Sequence, residues 1–169
     1  MAVAIAQDTA KRELRAYVSV SRMRLTGMVP NSTKAGWSVE MMNDGATPAK
    51  RTRSRIWVVF GKGESQGKIF SKSSSDPKWI EDESIADIPP GKPYRTGEDN
   101  LLDGVTITDE IFADILAGTL NLYLVGIITY KDVFGATRRT IFKGLFDPQS
   151  VDSNGNGKLS VCRTGNRST

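Results

Sequence analysis

Residues 120–146, LNLYLVGIITYKDVFGATRRTIFKGLF, decide the fold. Side chains alternate across a β-strand, so Leu120, Leu122, Leu124, Ile128 and Tyr130 share one face while Tyr123, Val125 and Ile127 take much of the other. Apolar residues on both faces mark a central strand rather than an edge. KDVFG then supplies a turn, and ATRRTIFKGLF returns as the partner strand, with Thr140, Phe142 and Phe146 on one side and Ile141 and Leu145 on the other. This hairpin is the backbone of a mainly β, antiparallel domain.

A short helix precedes it. In TITDEIFADILAGT, Thr108 suits an N-cap, Asp109 and Glu110 complement the positive end of the helix dipole, and Gly118 is a natural stop. Ile111, Phe112, Ile115 and Leu116 form its apolar stripe. Nearer the N-terminus, Val18 and Val20 alternate with serines, and Trp37, Val39 and Met41 alternate with Ser38 and Glu40, which predicts two half-buried strands. KRTRSRIWVVF begins polar and ends apolar, a strand whose first half is expected to project from the core. NDGATPA, with Asp44-Gly45 and Pro48, separates it from the strand before. Residues 61–106 are rich in Gly, Ser and Pro and read as loops, with short strands at 84–88 and 94–96 flanking PPGKP, and with Trp79 and Ile80 tucked onto the core. Residues 2–14 are mostly good helix formers and read as a helix leading into the first strand. Its apolar start is far shorter than the ~20 residues of a membrane span and lacks the basic leader of a signal peptide.

The chain has 169 residues, enough for one ordinary domain with one core. The organisation read from it is an N-terminal helix (1–14), a β-sandwich (15–147) and a polar C-terminal arm (148–169).

Composition narrows the chemistry. No histidine is present and Cys162 is the single cysteine, so histidine-based nucleophile pairs, histidine general bases, the usual zinc ligand sets and an intramolecular disulfide are all unavailable. Cys162 reads as an ordinary strand residue. With 23 Lys and Arg against 19 Asp and Glu, the net charge is +4, a bias toward anions well short of a dedicated nucleic-acid binder.

Three stretches imitate functional motifs. VDSNGNGKLSV, 151–161, begins like a calcium-binding EF-hand loop at Asp152, Asn154 and Asn156. Position twelve, however, is Arg163 where a bidentate Glu is required, and Asp152 is the loop's one acid. It reads as an Asn-Gly turn leading into a late strand or a loose arm, and no calcium is expected. GKGESQGK has the wrong glycine spacing for a phosphate loop, and Ile69 follows its lysine where Ser or Thr would hold magnesium. Asp109 and Glu110 are explained by helix capping, which leaves Asp103 and Asp114 without a catalytic partner. No catalytic residue, metal ligand, cofactor or small-molecule substrate is assigned, and the chain is expected not to be an enzyme.

KRTRSR is more informative. Strand alternation places Arg51, Arg53 and Arg55 on one face, a ladder of guanidinium groups leading to Trp57, with Lys50 beside it. Such a ladder suits phosphate, lipid headgroups or an acidic partner. The plainer reading is a solvated sheet face balanced by nearby acids, since charge runs usually just keep a sheet edge soluble.

The same residues carry a resemblance. TAKRELRAYVSV, NDGATPA, a strand ending in GKGE, PPGKP and LYLVGIITYKDVFGATRRTIF together resemble the soluble domain of a family of uncharacterised, membrane-anchored, mostly proteobacterial proteins. Those chains show AxRQLRAYV-like, NTGxTPA-like and LYxxGxIxYxDxFGxxRxTxF-like patterns after one or two membrane helices. The match runs from about residue 9 to residue 146, and the closing hairpin is its most specific part. The resemblance implies an immunoglobulin-like antiparallel β-sandwich with an N-terminal helix and one short helix inserted before the last hairpin, attached to a membrane, and it implies no activity. Residues 147–169 have no counterpart in that pattern, and the chain begins without the membrane helix, as an excised soluble domain would. Lys11, Arg12 and Arg15 lean toward the cytoplasmic side by the positive-inside tendency. The expected role is a non-catalytic binding or structural module contacting a protein; the alternative is docking to anionic lipid or nucleic acid through Lys50, Arg51, Arg53 and Arg55.

Overall fold

A computed structural model describes residues 9–32, 35–61, 80–98, 107–162 and 166–168. Residues 9–13 are helical (α1). The strands are β1 (Val18–Thr26), β2 (Gly36–Asn43), β3 (Ala49–Gly61), β4 (Ile80–Ile88), β5 (Pro93–Glu98), β6 (Asn121–Lys131), β7 (Thr137–Phe146), β8 (Gly157–Val161) and β9 (Arg167–Ser168), with α2 (Asp109–Leu116) before β6.

All pairings are antiparallel, and the sheet runs β4-β3-β6-β7-β8-β1-β2-β5, with β9 also on β7. The deciding hairpin forms as its sequence predicts, in register from Lys131↔Thr137 to Tyr123↔Leu145. Asp132 organises its turn. Its Oδ1 accepts from the backbone N–H groups of Phe134 (3.0 Å) and Ala136 (2.9 Å), and its Oδ2 from Arg138 Nε (2.9 Å). Gly135, at φ +81°, supplies the left-handed residue that closes the turn.

The long sheet folds over on itself into an almost barrel-like shape. β8 is the joint, pairing with β7 at Gly144–Phe146 and with β1 at Arg24 and Leu25. Beyond the reach of this short strand, side chains bridge the gap: Thr140 Oγ1 donates to Val18 O (2.6 Å), and Val18 N donates to Tyr130 Oη (3.2 Å). The inward faces then share one core, in which Trp37, Val39 and Met41 of β2 join Ile56, Leu122, Leu124, Ile128, Phe142 and Phe146. A smaller cluster lies on the outer face, where Tyr123, Val125 and Cys162 are buried with Trp57, Val59 and Leu145 around them.

Several expectations change. Leu116 is 46% exposed, so the buried stripe of α2 narrows to Ile115 with Ile111 and Phe112 partly covered; the helix is only eight residues long and touches the core with its middle turn. The first half of β3 does not project from the core, because Ala49, Thr52, Ser54 and Ile56 all turn inward and are buried. A register shift between Val20 and Arg22 in β1 changes which residues face inward, from Val18 to Met23 and Leu25. Cys162 follows β8 rather than lying in it, and it is buried on the outer face. Of the two fates expected for residues after the Asn-Gly turn, the late strand is what forms. The strands flanking PPGKP belong to opposite ends of the sheet, β4 beside β3 and β5 beside β2, so this turn is a crossover. Residues 1–8, the phosphate-loop look-alike from Lys62 to Lys68, Trp79, and Asp103 lie outside the described residues.

Candidate functional site

The arginines of KRTRSR sit where β3 borders β6, and the inward burial of Ser54 and Ile56 forces Arg53, Arg55 and Trp57 outward. Arg53 lies opposite Thr129, and Thr129 lies opposite Arg139 on β7. One row further, Arg55 lies opposite Ile127, Ile127 opposite Ile141, and Ile141 opposite Arg167 on β9. The next row runs from Trp57 through Val125 to Lys143. The outer face is therefore a grid in which arginines alternate with half-buried apolar residues. Arg55, Trp57 and Arg139 also take part in contacts within the fold, and on the β4 side Arg55 is registered with Glu81.

Lys50 and Arg51 stand apart from that grid. Pairing with β6 jumps from Lys50↔Lys131 to Arg53↔Thr129, three residues on β3 against two on β6, so Arg51 is the extra residue of a bulge. Its φ is +51°, and its backbone N–H donates to Asp87 Oδ1 at 2.8 Å. Lys50, Arg51, Arg53 and Arg55 are all exposed. Sequence reasoning missed Arg139 and Arg167. Alternation back from Ile141 reaches Arg139, whereas nothing local signals that Arg167 pairs beside Ile141.

The outer-face cluster contains a buried cation. Lys143 is fully buried, with its Nζ 4.5 Å from the centre of the Tyr123 ring, a cation–π contact. Burial lowers its pKa, with Cys162 opposing that shift, and burial likewise raises the pKa values of Cys162 and Tyr123. Asn166 ties the C-terminal segment over this cluster, accepting from Lys143 N (2.9 Å) and donating to Cys162 O (2.5 Å).

Between β1 and β7, where β8 ends and β9 fills only two positions, lies a slot of about 330 Å³. Its wall is mostly apolar, with Val18, Val20, Met23 and Phe142, and Arg167 is its one charged residue among the described residues. In the EF-hand look-alike, Asp152 is committed to its own loop. Its Oδ1 accepts from the backbone N–H of Asn154 (2.8 Å) and of Asn156 (2.9 Å), and its Oδ2 from Asn156 Nδ2 (3.1 Å). Among the described residues no three Cys, Asp or Glu side chains gather as a metal-ligand group, and no helix is long and apolar enough to cross a membrane. Compared with protein-family models, with curated proteins and with solved structures, the chain matches none.

Proposed function

We propose that this chain is a non-catalytic binding module whose basic outer face engages an acidic surface on a protein partner. The observation that carries this reading is the interleaving of Arg53, Arg55, Arg139 and Arg167 with Ile127, Ile141 and Trp57 on adjacent strands. Arginine and aromatic residues set among half-buried apolar ones have the composition of protein interfaces, whereas a phosphate-tracking surface needs charge and little else. The finer reading of an immunoglobulin-like sandwich belongs to this proposal, and the single core shared by the inward faces of the folded-over sheet is what supports it. Display on a bacterial membrane, which the family resemblance implies, belongs to the same proposal.

The alternative is docking to nucleic acid through the basic run of β3, favoured at Arg53 and Arg55 by a two-residue spacing of roughly 6.5–7 Å, close to the step between successive backbone phosphates, although the bulge sets Lys50 and Arg51 off that line. Fluorescence anisotropy with labelled polyglutamate and labelled oligothymidylate, each titrated with wild type and with the Arg53→Ser/Arg55→Ser/Arg139→Ser variant, separates the two. We expect polyglutamate to bind more tightly at physiological salt and the variant to lose that binding while still unfolding cooperatively, with Tm lowered only slightly by the loss of exposed Arg55 and Arg139 contacts. Tighter oligothymidylate binding with a steep salt slope would replace the protein reading with the nucleic-acid one.

A further inference from the structure

One end of the sheet collects features that the outer face does not use. β1 begins there and β2 ends there (Val18↔Asn43); β3 begins and β6 ends there (Lys50↔Lys131); and the β6–β7 turn closes it. Side-chain and backbone bonds knit this end together: Thr47 Oγ1 donates to Leu14 O (2.6 Å), and Gly91 N to Asn43 O (2.9 Å). α1, the NDGATPA loop, the PPGKP crossover and the hairpin turn therefore gather at one end of the sheet, apart from the grid of arginines on its outer face.

That surface is apolar at its tip and basic around it. Phe134 is 47% exposed and Val133 40%, both on the hairpin turn, and Leu14 is 49% exposed beside α1. The turn that carries Val133 and Phe134 is held from below by the three bonds to buried Asp132, so the apolar pair is presented on a fixed support. Around it stand exposed Lys11, Arg12, Lys50, Arg51, Lys92 and Lys131. The acids of this end are fewer: Glu13, Asp44 and Asp87 are exposed, Asp44 is taken by Ser19 Oγ (2.5 Å) and Asp87 by the Arg51 N–H, while Asp132 is paired with Arg138.

We infer that this end docks on an anionic membrane surface, with Phe134 and Val133 entering the headgroup boundary while the surrounding lysines and arginines meet acidic lipid. The chemistry favours a bilayer over other anions. An exposed apolar turn ringed by cations suits a partner that offers an apolar layer behind a charged surface, and long lysine and arginine stems suit the headgroup depth. The cations come from four separate segments that meet at this end, Lys11 and Arg12 from α1, Lys50 and Arg51 from the start of β3, Lys92 from the PPGKP crossover and Lys131 from the end of β6, a spread that suits a broad charged surface.

The test is co-sedimentation of the full chain with vesicles of phosphatidylcholine alone and with roughly a third phosphatidylglycerol, at about 0.1 M salt. We expect binding to the anionic vesicles only. Phe134→Ser should lower it several-fold, and Lys50→Ser/Lys131→Ser roughly tenfold or more, at about fivefold or less per charge removed plus a flatter salt dependence. All these side chains are exposed, so Tm should not move. In Phe134→Trp, emission above the wild-type background should shift to the blue on adding anionic vesicles. Absence of binding to anionic vesicles, equal binding by Phe134→Ser, or an unshifted emission overturns the proposal. Loss of vesicle binding in Arg53→Ser/Arg55→Ser, with Lys50→Ser/Lys131→Ser unaffected, overturns it in favour of the outer face. Because the face is probed separately with polyglutamate, failure here leaves the protein-binding reading standing.

Discussion

Gly126 sits in the middle of β6, directly opposite Phe142 on β7 and Ile56 on β3. A Cβ at this position would lie 2.6 Å from Phe142 Cε1, closer still to Cζ, and 3.0 Å from the Arg55 carbonyl oxygen. The Phe142 ring thus covers the glycine, and with 3% exposure it has little room to withdraw. Two effects compete in Gly126→Ala. Losing glycine's backbone freedom favours the folded state by about 0.5–1 kcal/mol, while overpacking a filled core costs about 1–3 kcal/mol, occasionally more. Contacts this short with a core ring and a ladder carbonyl belong at the upper end of that cost, about 3 kcal/mol, so after the offset the net loss should be about 2–2.5 kcal/mol. Urea unfolding followed by intrinsic fluorescence measures it. Phe142→Leu should cost about 1 kcal/mol alone as a modest core change, yet part of that cost should vanish in the Gly126→Ala background, giving a favourable coupling in the double-mutant cycle. A Gly126→Ala chain as stable as wild type, or a cycle with no coupling, would show that the ring does not lie over this glycine.

Leu124→Ala, at a fully buried position in the same strand, should cost about 2–5 kcal/mol in the same assay, and a loss below about 1 kcal/mol would remove β6 from the core. Asp132→Ala should cost about 1.5–3 kcal/mol, because it strips the hairpin turn of an ionised acceptor for two backbone N–H groups and Arg138; thermal melts of Asp132→Asn should fall between it and wild type. Burial depresses the pKa of Lys143, so the unfolded chain holds that proton to higher pH and wild-type stability should gain from this group as pH rises from the depressed value to the ordinary lysine value. Lys143→Met should lack that alkaline gain and be at least as stable near neutrality, as Tm measured against pH will show. Asp152, whose pKa is lowered chiefly by hydrogen bonds from Asn156, contributes stability above the ordinary carboxylate value that is lost as pH falls through its lower folded value. The gap between wild type and Asp152→Ala should close with acidification, and a carboxyl carbon titrating at or above the ordinary value would refute the loop geometry.

The hairpin was legible because both of its strands announce period two on both faces and because KDVFG has no other reading. The helix before it was legible from its cap, since Thr108 accepts from Ile111 N at 3.2 Å and Gly118 takes φ +73°. What sequence concealed is tertiary. That β4 and β5 end up on opposite edges of the sheet depends on the crossover at PPGKP, and local pattern cannot distinguish a crossover from a hairpin turn. The C-terminal residues looked polar because Lys158 and Ser160 face water, yet Leu159, pairing beside Phe146, is enough to seat β8 between β7 and β1. Lys143 ran against its residue type: a lysine in a strand reads as solvent-facing, yet it is buried, beside the Tyr123 ring and with its backbone N–H bonded to Asn166.

The run KRTRSR shows most clearly how topology revises a pattern. Uninterrupted alternation from Ala49 would put Arg51, Arg53 and Arg55 on the same side as Ala49, which is fully buried. The bulge at Arg51 resolves this conflict by adding one residue, so that Ala49, Thr52 and Ser54 turn inward and Arg53 and Arg55 turn out. One basic block in the sequence becomes two surfaces in the fold. Lys50 and Arg51 go to the end of the sheet with Lys131 and Phe134; Arg53 and Arg55 go to the outer face with Arg139 and Arg167. A binding partner that meets one surface need not touch the other, and a module with two such surfaces can rest on an anionic layer by its end while its face stays open to an acidic protein. Substitutions two residues apart in β3 therefore report on different interactions, a separation that a continuous ladder of three arginines would not permit.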